Sequence, residues 1–261
     1  MDQAFSLDRD VPYRELRDPA LPDELRALAL ACFAAQRRAV AARGPGATPP
    51  AASTAGGKAR RAEDAVSGAA LERILAEGRS IGGVVTDRDL ATAIPFNARF
   101  TEDVVWSAEV AASRARLDRA VAGWLGSRFA TAVPPVLSAA GQWWYPPGTW
   151  FGWHTNHGYP GWRLYLSHAE EEDRSFFRYR DPRTGAVVTS PDGRWHLRLF
   201  EVASDRPLWH AIHSADTHRF SIGWFVRPWS LRAAVAARVK RITDGVATAR
   251  RARVAPEGGV R

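Results

Sequence analysis

The sequence is nearly free of cysteine and has neither a long apolar run nor the pattern of a signal peptide. Its 261 residues include one cysteine, Cys32, which excludes an internal disulfide framework and a zinc or iron–sulfur site built from several cysteines. No apolar run approaches the roughly 18 residues that a membrane-spanning helix needs. The opening residues MDQAFSLDRD lack the basic and apolar regions of a secretory signal. We therefore expect a cytoplasmic protein with no membrane partner.

Most of the excess positive charge lies at one end of the chain. The formal net charge is +8, and the segment from residue 231 onward holds eight basic and two acidic residues. This segment contains no aromatic residue and no nucleic-acid-binding motif. The pattern favours a solvated basic tail over a nucleic-acid interface.

Tryptophan and histidine are the residues that stand out by their placement. Nine of the 11 tryptophans lie between residues 143 and 229, and all seven histidines lie between residues 154 and 218. The chemistry of the protein is therefore expected in the second half of the chain.

The first half of the chain has the pattern of helices. Apolar residues at helical spacing predict helices over 22–43, 63–78 and 107–128. Between the first two, the Gly/Pro/Ala-rich stretch 44–61 predicts a flexible low-complexity loop. The predicted organisation is an N-terminal helical segment (1–43), this loop (44–61), a helical support region (62–134), a β core (135–229), and a C-terminal helix with the basic tail (230–261).

The second half has the pattern of a β domain. Short apolar runs split by turn residues predict eight strands, and eight strands at this spacing are typical of a barrel or a double-sheet jelly roll. Helices before the strands, and a closing helix over about 231–249, make this an α+β fold. The predicted strands lie near 136–145, 149–155, 162–168, 174–180, 185–190, 195–202, 207–213 and 219–227.

Two segments of this β domain carry the candidate metal-binding side chains. His154 and Asn156 are two apart, so in a strand both side chains point to the same face. About fifty residues later come His210, then Arg219 and Ser221. Two imidazoles and one oxygen donor on a rigid sheet suit the facial geometry of non-haem Fe(II) oxygenases. His213 is an alternative to His210, but three residues along a strand it should point to the opposite face.

These segments resemble the iron(II)/2-oxoglutarate-dependent oxygenase superfamily, and most of all its prolyl-hydroxylase-like branch. The family's His-x-Asp motif, followed after a loop by an arginine and a strand, is matched by HTN at 154–156 and RLYL at 163–166. A preceding Tyr-Pro-x-Gly segment is matched by YPPG at 145–148. The family's distal histidine and co-substrate arginine are matched by His210 and by RFS at 219–221. Four matches in the family's order make the resemblance fairly specific.

The resemblance implies a double-stranded β-helix fold and a dioxygenase activity with a role for each matched residue. His154 and His210 would bind iron through imidazole nitrogens. Arg219 would form a bidentate pair with the distal carboxylate of 2-oxoglutarate, and Tyr145 and Ser221 would donate hydrogen bonds to the same group. O2 would bind at the iron, 2-oxoglutarate would be decarboxylated to succinate, and a substrate C–H bond would be oxidised, most simply by hydroxylation.

The sequence departs from the family's pattern at the carboxylate ligand, where Asn156 stands. A neutral amide oxygen can bind iron but brings no charge to compensate the metal. Asn156 can act as a weak ligand, can leave its position to another anion as in related halogenases, or can mark an inactive site. Asp216 and Glu201 are candidates for a substitute carboxylate, although neither fits the family's spacing.

The substrate and the alternative functions stay open at this point. Arg163, Trp153 and Trp209 flank the expected site and are candidates for contact with a small-molecule or peptide substrate. The alternatives to an oxygenase are a catalytically inactive jelly-roll binding protein, and a halogenase-like or cupin-type metalloenzyme.

Overall fold

The computed structural model describes residues 5, 7–8, 10–43, 61–78, 93–96, 107–126, 128–129, 135–156 and 158–227. The predicted closing helix, the basic tail and nearly all of the predicted loop at 44–61 lie outside the described residues.

Three helices occupy the predicted positions. They are α1 (Asp23–Ala41), α2 (Gly68–Ala76) and α3 (Ala108–Gly126). The single helix predicted over 63–78 is instead a short helical segment at 61–65 followed by α2. Ser67 separates the two, because its hydroxyl caps α2 by accepting a 3.0 Å hydrogen bond from the Ala70 amide. Serine favours this arrangement at a helix start over a place inside a helix.

In the described ranges, ten strands form two antiparallel sheets, and the fold is a double-stranded β-helix, as predicted. The six-stranded sheet has the order β1-β8-β5-β10-β3-β2, and the four-stranded sheet has the order β4-β9-β6-β7. The strands are β1 (Tyr13–Arg17), β2 (Ile94–Pro95), β3 (Val136–Tyr145), β4 (Thr149–His154), β5 (Gly161–Ala169), β6 (Ser175–Arg180), β7 (Val187–Pro191), β8 (Trp195–Val202), β9 (His210–Ser214) and β10 (Arg219–Arg227).

Two strands lie in the first half of the chain, within the regions 1–43 and 62–134 for which the sequence predicted helices and no strand. β1 pairs with β8 along its whole length, and β2 pairs with Trp143 and Trp144 of β3. β1 reads YRELR, which has no apolar alternation, and β2 has two residues. Both are held by backbone pairing with a longer neighbour, so their own side chains give no strand pattern to detect.

The core is divided by the two sheets into three layers of apolar contact. One cluster joins α1 and α3 to the outer face of the six-stranded sheet, including Leu164, Leu166 and Ile222. A second joins α2 to the outer face of the four-stranded sheet, and a third lies between the two sheets. Alternate residues of β5 and β10 therefore face the helices, and the residues between them face the interior. None of the described helices is both long and apolar enough to cross a bilayer.

Candidate metal and co-substrate site

A cleft lies between the inner faces of the two sheets, and its volume is about 470 Å³ when the open solvent at its mouth is included. All six residues that the sequence resemblance assigns to iron and 2-oxoglutarate line this cleft: Tyr145, His154, Asn156, His210, Arg219 and Ser221. Its apolar walls include Phe151, Phe177 and Phe200. The fold thus brings together residues that are up to 76 positions apart in the sequence.

The two histidines lie side by side on neighbouring strands. His154 of β4 is the register partner of His210 of β9, and their ring centroids are 4.1 Å apart. Nδ1 of His154 lies 2.8 Å from the carbonyl oxygen of Gly152, and Nδ1 of His210 lies 2.9 Å from that of Leu208. If each Nδ1 carries the ring proton, it donates to its carbonyl and leaves the Nε2 lone pair free. That tautomer is the one in which histidine commonly binds a metal.

Both imidazoles are held in the neutral state that metal binding requires. Burial lowers the pKa of His154 well below its ordinary value, and the neighbouring His210 lowers it further. Burial lowers the pKa of His210 to about 4. At neutral pH neither ring carries a positive charge that would repel a divalent cation.

Asn156 supplies the third polar group of the set. Its side chain is buried, and its Nδ2 lies 3.4 Å from Nε2 of His210. Rotation about the Cβ–Cγ bond exchanges the amide nitrogen and oxygen, so the amide can present either a donor or an acceptor there. The three groups together are neutral.

No carboxylate of the described residues joins these three groups. Among the described residues, no cluster of three or more His, Cys, Asp or Glu side chains is placed to share a metal ion. The two substitute carboxylates considered from the sequence lie elsewhere, since Asp216 pairs with Arg174 and Glu201 pairs with Arg206 at 3.3 Å. Neither lines the cleft.

Arg219 lies in the same cleft with one unpaired donor. Its Nε donates to Asp192 at 2.8 Å, and its Nη2 donates to the Ser167 hydroxyl at 3.0 Å. Nη1 is buried and has no hydrogen-bond partner among the described residues. The guanidinium lies 5.0 Å from the centre of the Tyr145 ring. A buried guanidinium nitrogen without a partner is suited to an anionic ligand.

Sequence reasoning missed two charged residues that shape this end of the cleft. Asp192 is 1% exposed and accepts from Arg219, from Arg198 Nη1 at 2.7 Å and from the Ser175 hydroxyl at 2.8 Å. Burial raises the pKa of Asp192, but Arg219 and Arg198 outweigh it and hold the pKa well below its ordinary value. In the sequence Asp192 reads as a turn residue between proline and glycine. The sequence does contain an indication for Arg198, because this charged residue falls on an inward-facing position of the strand WHLRLFEV.

Two of the three residues that the sequence suggested for substrate contact point away from the cleft. Trp153 and Trp209 lie on the outer face of the four-stranded sheet, in the cluster with α2. A register irregularity between Phe151 and His154 puts those two side chains in the cleft and turns Trp153 away from it. The Trp153 indole N–H donates to the Ser67 carbonyl at 2.7 Å. The third candidate, Arg163, lines a cleft beside Asn156.

His213 lies on the outer face of its strand, as the sequence predicts. Its ring meets Phe176 edge to face, with centroids 5.5 Å apart. Unlike His210, it does not line the cleft.

Comparisons with known proteins return similar solved structures only. No protein-family model matches the chain, and no curated protein matches it. A prolyl-4-hydroxylase from Pseudomonas putida is 15% identical with a TM-score of 0.38, over 84% of this chain and 96% of that one. The carbocyclase SnoK of nogalamycin biosynthesis, described as non-haem and alpha-ketoglutarate-dependent, is 12% identical with a TM-score of 0.42, over 85% and 84%. A 2OG-Fe(II) oxygenase family oxidoreductase from Burkholderia pseudomallei is 14% identical with a TM-score of 0.36, over 66% and 91%.

Proposed function

We propose that this chain is an Fe(II)- and 2-oxoglutarate-dependent oxygenase. His154, His210 and Asn156 hold the iron, and Arg219, with Tyr145 and Ser221 beside it, binds the distal carboxylate of 2-oxoglutarate. The observation that carries the proposal is the pairing, in one buried cleft, of two imidazoles whose Nδ1 atoms lie against backbone carbonyls with a guanidinium nitrogen that has no partner among the described residues.

The residues fit the groups they would hold. Neutral imidazoles and an amide oxygen are ligands that Fe(II) accepts. The side chain of Arg219 is fixed by Asp192 and Ser167 before any ligand arrives, so little conformational freedom is lost when a carboxylate binds. When bound, iron and 2-oxoglutarate supply the activation of O2 that oxidises a substrate C–H bond, with release of CO2 and succinate.

The other lining residues hold the reactants and exclude water. Phe151, Phe177 and Phe200 surround the histidine pair, with the Phe151 and His154 ring centroids 4.0 Å apart. Such walls lower the local dielectric, which strengthens the interaction of Arg219 with an anion. The neutral Asn156 leaves the charge of the metal to be balanced by 2-oxoglutarate.

Anaerobic titration of the full-length protein with Fe(II) and 2-oxoglutarate tests the proposal. The expected result is a saturable metal-to-ligand charge-transfer absorption band. The band should be lost in His210→Ala and in Arg219→Ala. His213→Ala is the matched control, because it removes an imidazole from the outer face of the same strand and should leave the band unchanged. A folded wild-type protein with no band, or a band that survives Arg219→Ala, would contradict the proposal.

A second candidate function follows from the absence of a carboxylate among the described residues of the site. The chain then binds 2-oxoglutarate through Arg219 without retaining iron and without turnover. In that case calorimetry detects 2-oxoglutarate binding that does not depend on added Fe(II). Asn156→Asp would then create uncoupled 2-oxoglutarate turnover where the wild type has none.

A further inference from the structure

A second cleft opens beside the first and shares two residues with it. Its volume is about 270 Å³ when the open solvent at its mouth is included, and its walls include Tyr159, Arg163 and Phe225. Asn156 and Tyr165 line both clefts. A molecule in the second cleft would therefore lie next to the amide that we assign to the metal.

The inner face of β5 connects the two clefts. Arg163, Tyr165 and Ser167 follow one another at intervals of two residues, so their side chains share a face of the strand. Ser167 accepts the hydrogen bond of Arg219 at the co-substrate end. At a rise of about 3.3 Å per residue, Arg163 stands roughly 13 Å from Ser167 along the strand. Two buried arginines thus mark opposite ends of one continuous wall.

Arg163 is a buried cation that no carboxylate neutralises within the described part of the chain. It is 2% exposed, and it takes part in none of the ion pairs among those residues. Its Nη1 donates to the carbonyls of Gly161 and Trp162 at 3.2 Å, and its Nη2 donates to that of Tyr159. The guanidinium carbon lies 3.8 Å from the centre of the Phe225 ring. These contacts position the group and leave its charge uncompensated.

The cost of burying this charge points to a ligand. Burial lowers the pKa of Arg163 to about 10, so the side chain remains charged at neutral pH. A buried charge held only by carbonyl dipoles and an aromatic face is costly, and an anion placed beside it removes that cost. One carboxylate balances one guanidinium, whereas a phosphate dianion would leave a buried negative charge in excess.

We propose that Arg163 binds a carboxylate group of the substrate, so that the substrate is an organic acid whose apolar part lies against Tyr159, Tyr165 and Phe225. This inference rests on the proposed function, because only an enzyme has a substrate. The anion-binding role of the second cleft stands apart from it and can be tested without iron.

Binding of matched pairs of acids and primary amides tests the inference. The probes are acetate with acetamide, butyrate with butyramide, and 3-phenylpropionate with 3-phenylpropanamide. Their affinities for the full chain are measured by ligand-observed NMR in saturating 2-oxoglutarate, which fills the Arg219 end. For at least the phenyl pair, the wild type should prefer the acid by about tenfold or more, the scale of a charge-assisted hydrogen bond in a buried site.

The variants separate substrate recognition from a structural role. Arg163→Gln should abolish the preference for the acid, and Arg163→Lys should retain part of it. Arg227→Gln is the matched control, since Arg227 also lies over the Phe225 ring, at 5.7 Å, but is exposed. If Arg163 only holds the carbonyl of Tyr159 in place, Arg163→Gln lowers the affinities for acid and amide equally, which overturns the proposal. Circular dichroism confirms that each variant is folded.

The remaining outcomes are equally decisive. Equal binding of acid and amide to the wild type, or no saturable binding of any acid, overturns the inference. If phenyl phosphate binds more tightly than 3-phenylpropionate, and only when Arg163 is present, the group that binds Arg163 is a phosphate and the carboxylate proposal is wrong. A missing charge-transfer band together with an Arg163-dependent preference for the acid defeats the proposed oxygenase and leaves the anion site standing.

Discussion

Replacement of Asp192 by asparagine tests the electrostatic design of the cleft. Asp192 is the carboxylate shared by two guanidinium groups, with hydrogen bonds of 2.8 Å from Arg219 and 2.7 Å from Arg198. Both arginines are at most 2% exposed. Asp192→Asn keeps the shape of the side chain and removes the negative charge between them.

The cost of this change follows from burial. Removing one partner of a buried ion pair costs about 3–5 kcal/mol, because the charge left behind is uncompensated. Glu15 offsets part of this, since its carboxylate lies 3.5 Å from Nε of Arg198, so we expect about 3 kcal/mol. At about 2–4 °C per kcal/mol for a chain of this size, the melting temperature should fall by about 6–12 °C.

The pH dependence of stability gives a second readout. Because the pKa of Asp192 is lowered in the folded protein, its contribution to stability is complete above the unfolded value of about 3.9 and is lost as the pH falls below it. Hydrogen bonds outweigh burial at Glu15 and lower its pKa to about 2, so Glu15 titrates in the same window. Urea unfolding between about pH 5 and pH 3 should therefore show a shallower slope in Asp192→Asn than in the wild type.

Glu15→Gln is the control, because it removes the neighbouring carboxylate and leaves Asp192 between its arginines. It should reduce the same slope and retain 2-oxoglutarate binding, whereas Asp192→Asn should weaken that binding by releasing Arg219. A loss of less than about 1 kcal/mol in Asp192→Asn, the scale of an exposed ion pair, together with an unchanged slope, would refute the reasoning.

Three further substitutions, together with one control substitution on α3, test other parts of the structure. Asn156→Asp should raise the affinity for Fe(II) by at least about tenfold, because it adds a charged ligand at a site where even outer-shell partners change metal affinity by about 10–100-fold. Equilibrium dialysis measures this affinity. An unchanged affinity would show that residue 156 does not reach the metal. Gly223→Ala places a methyl group 2.5 Å from Cε1 of Tyr165 and should lower the free energy of unfolding, measured in urea, by about 1–3 kcal/mol. Gly123→Ala is the control, because it lies on the open side of α3 and should stabilise the chain slightly. Trp153→Phe removes a partly buried hydrogen bond and should cost about 1 kcal/mol without altering the charge-transfer band. Loss of the band would show that Trp153 contributes to the cleft.

The strands of the β domain could be predicted because their side chains report burial directly. The bounds of β3, β8 and β10 agree residue for residue with the sequence prediction. Turn residues punctuate these runs, and each run alternates between the helix-facing and cleft-facing sides. β1 could not be predicted in this way, because it is fixed by hydrogen bonds to a neighbour more than 170 residues away.

The imidazole and guanidinium groups of the candidate site could also be predicted from the sequence, through spacing along single strands. Arg219 and Ser221 form a local pair on β10 whose common face follows from a period of two. Asn156 lies two residues beyond the end of β4, so this period does not explain its place beside His154. The side of the sheet to which Trp153 points could not be predicted, because it depends on an irregularity in the pairing of β4 with β9. A one-residue shift of this kind turns a side chain to the other surface of the sheet.

The sequence alone therefore determined which side chains are candidates for the site and near which strands they lie, because strand periodicity and turn residues act over a few positions. The tertiary structure decided how those side chains are charged and paired. Asp192 reaches Arg219 across 27 residues, one nitrogen of that arginine is left without a partner among the described residues, and Arg163 is buried without a carboxylate among them. Such pairings depend on which distant strands become neighbours, and a local pattern contains no record of that.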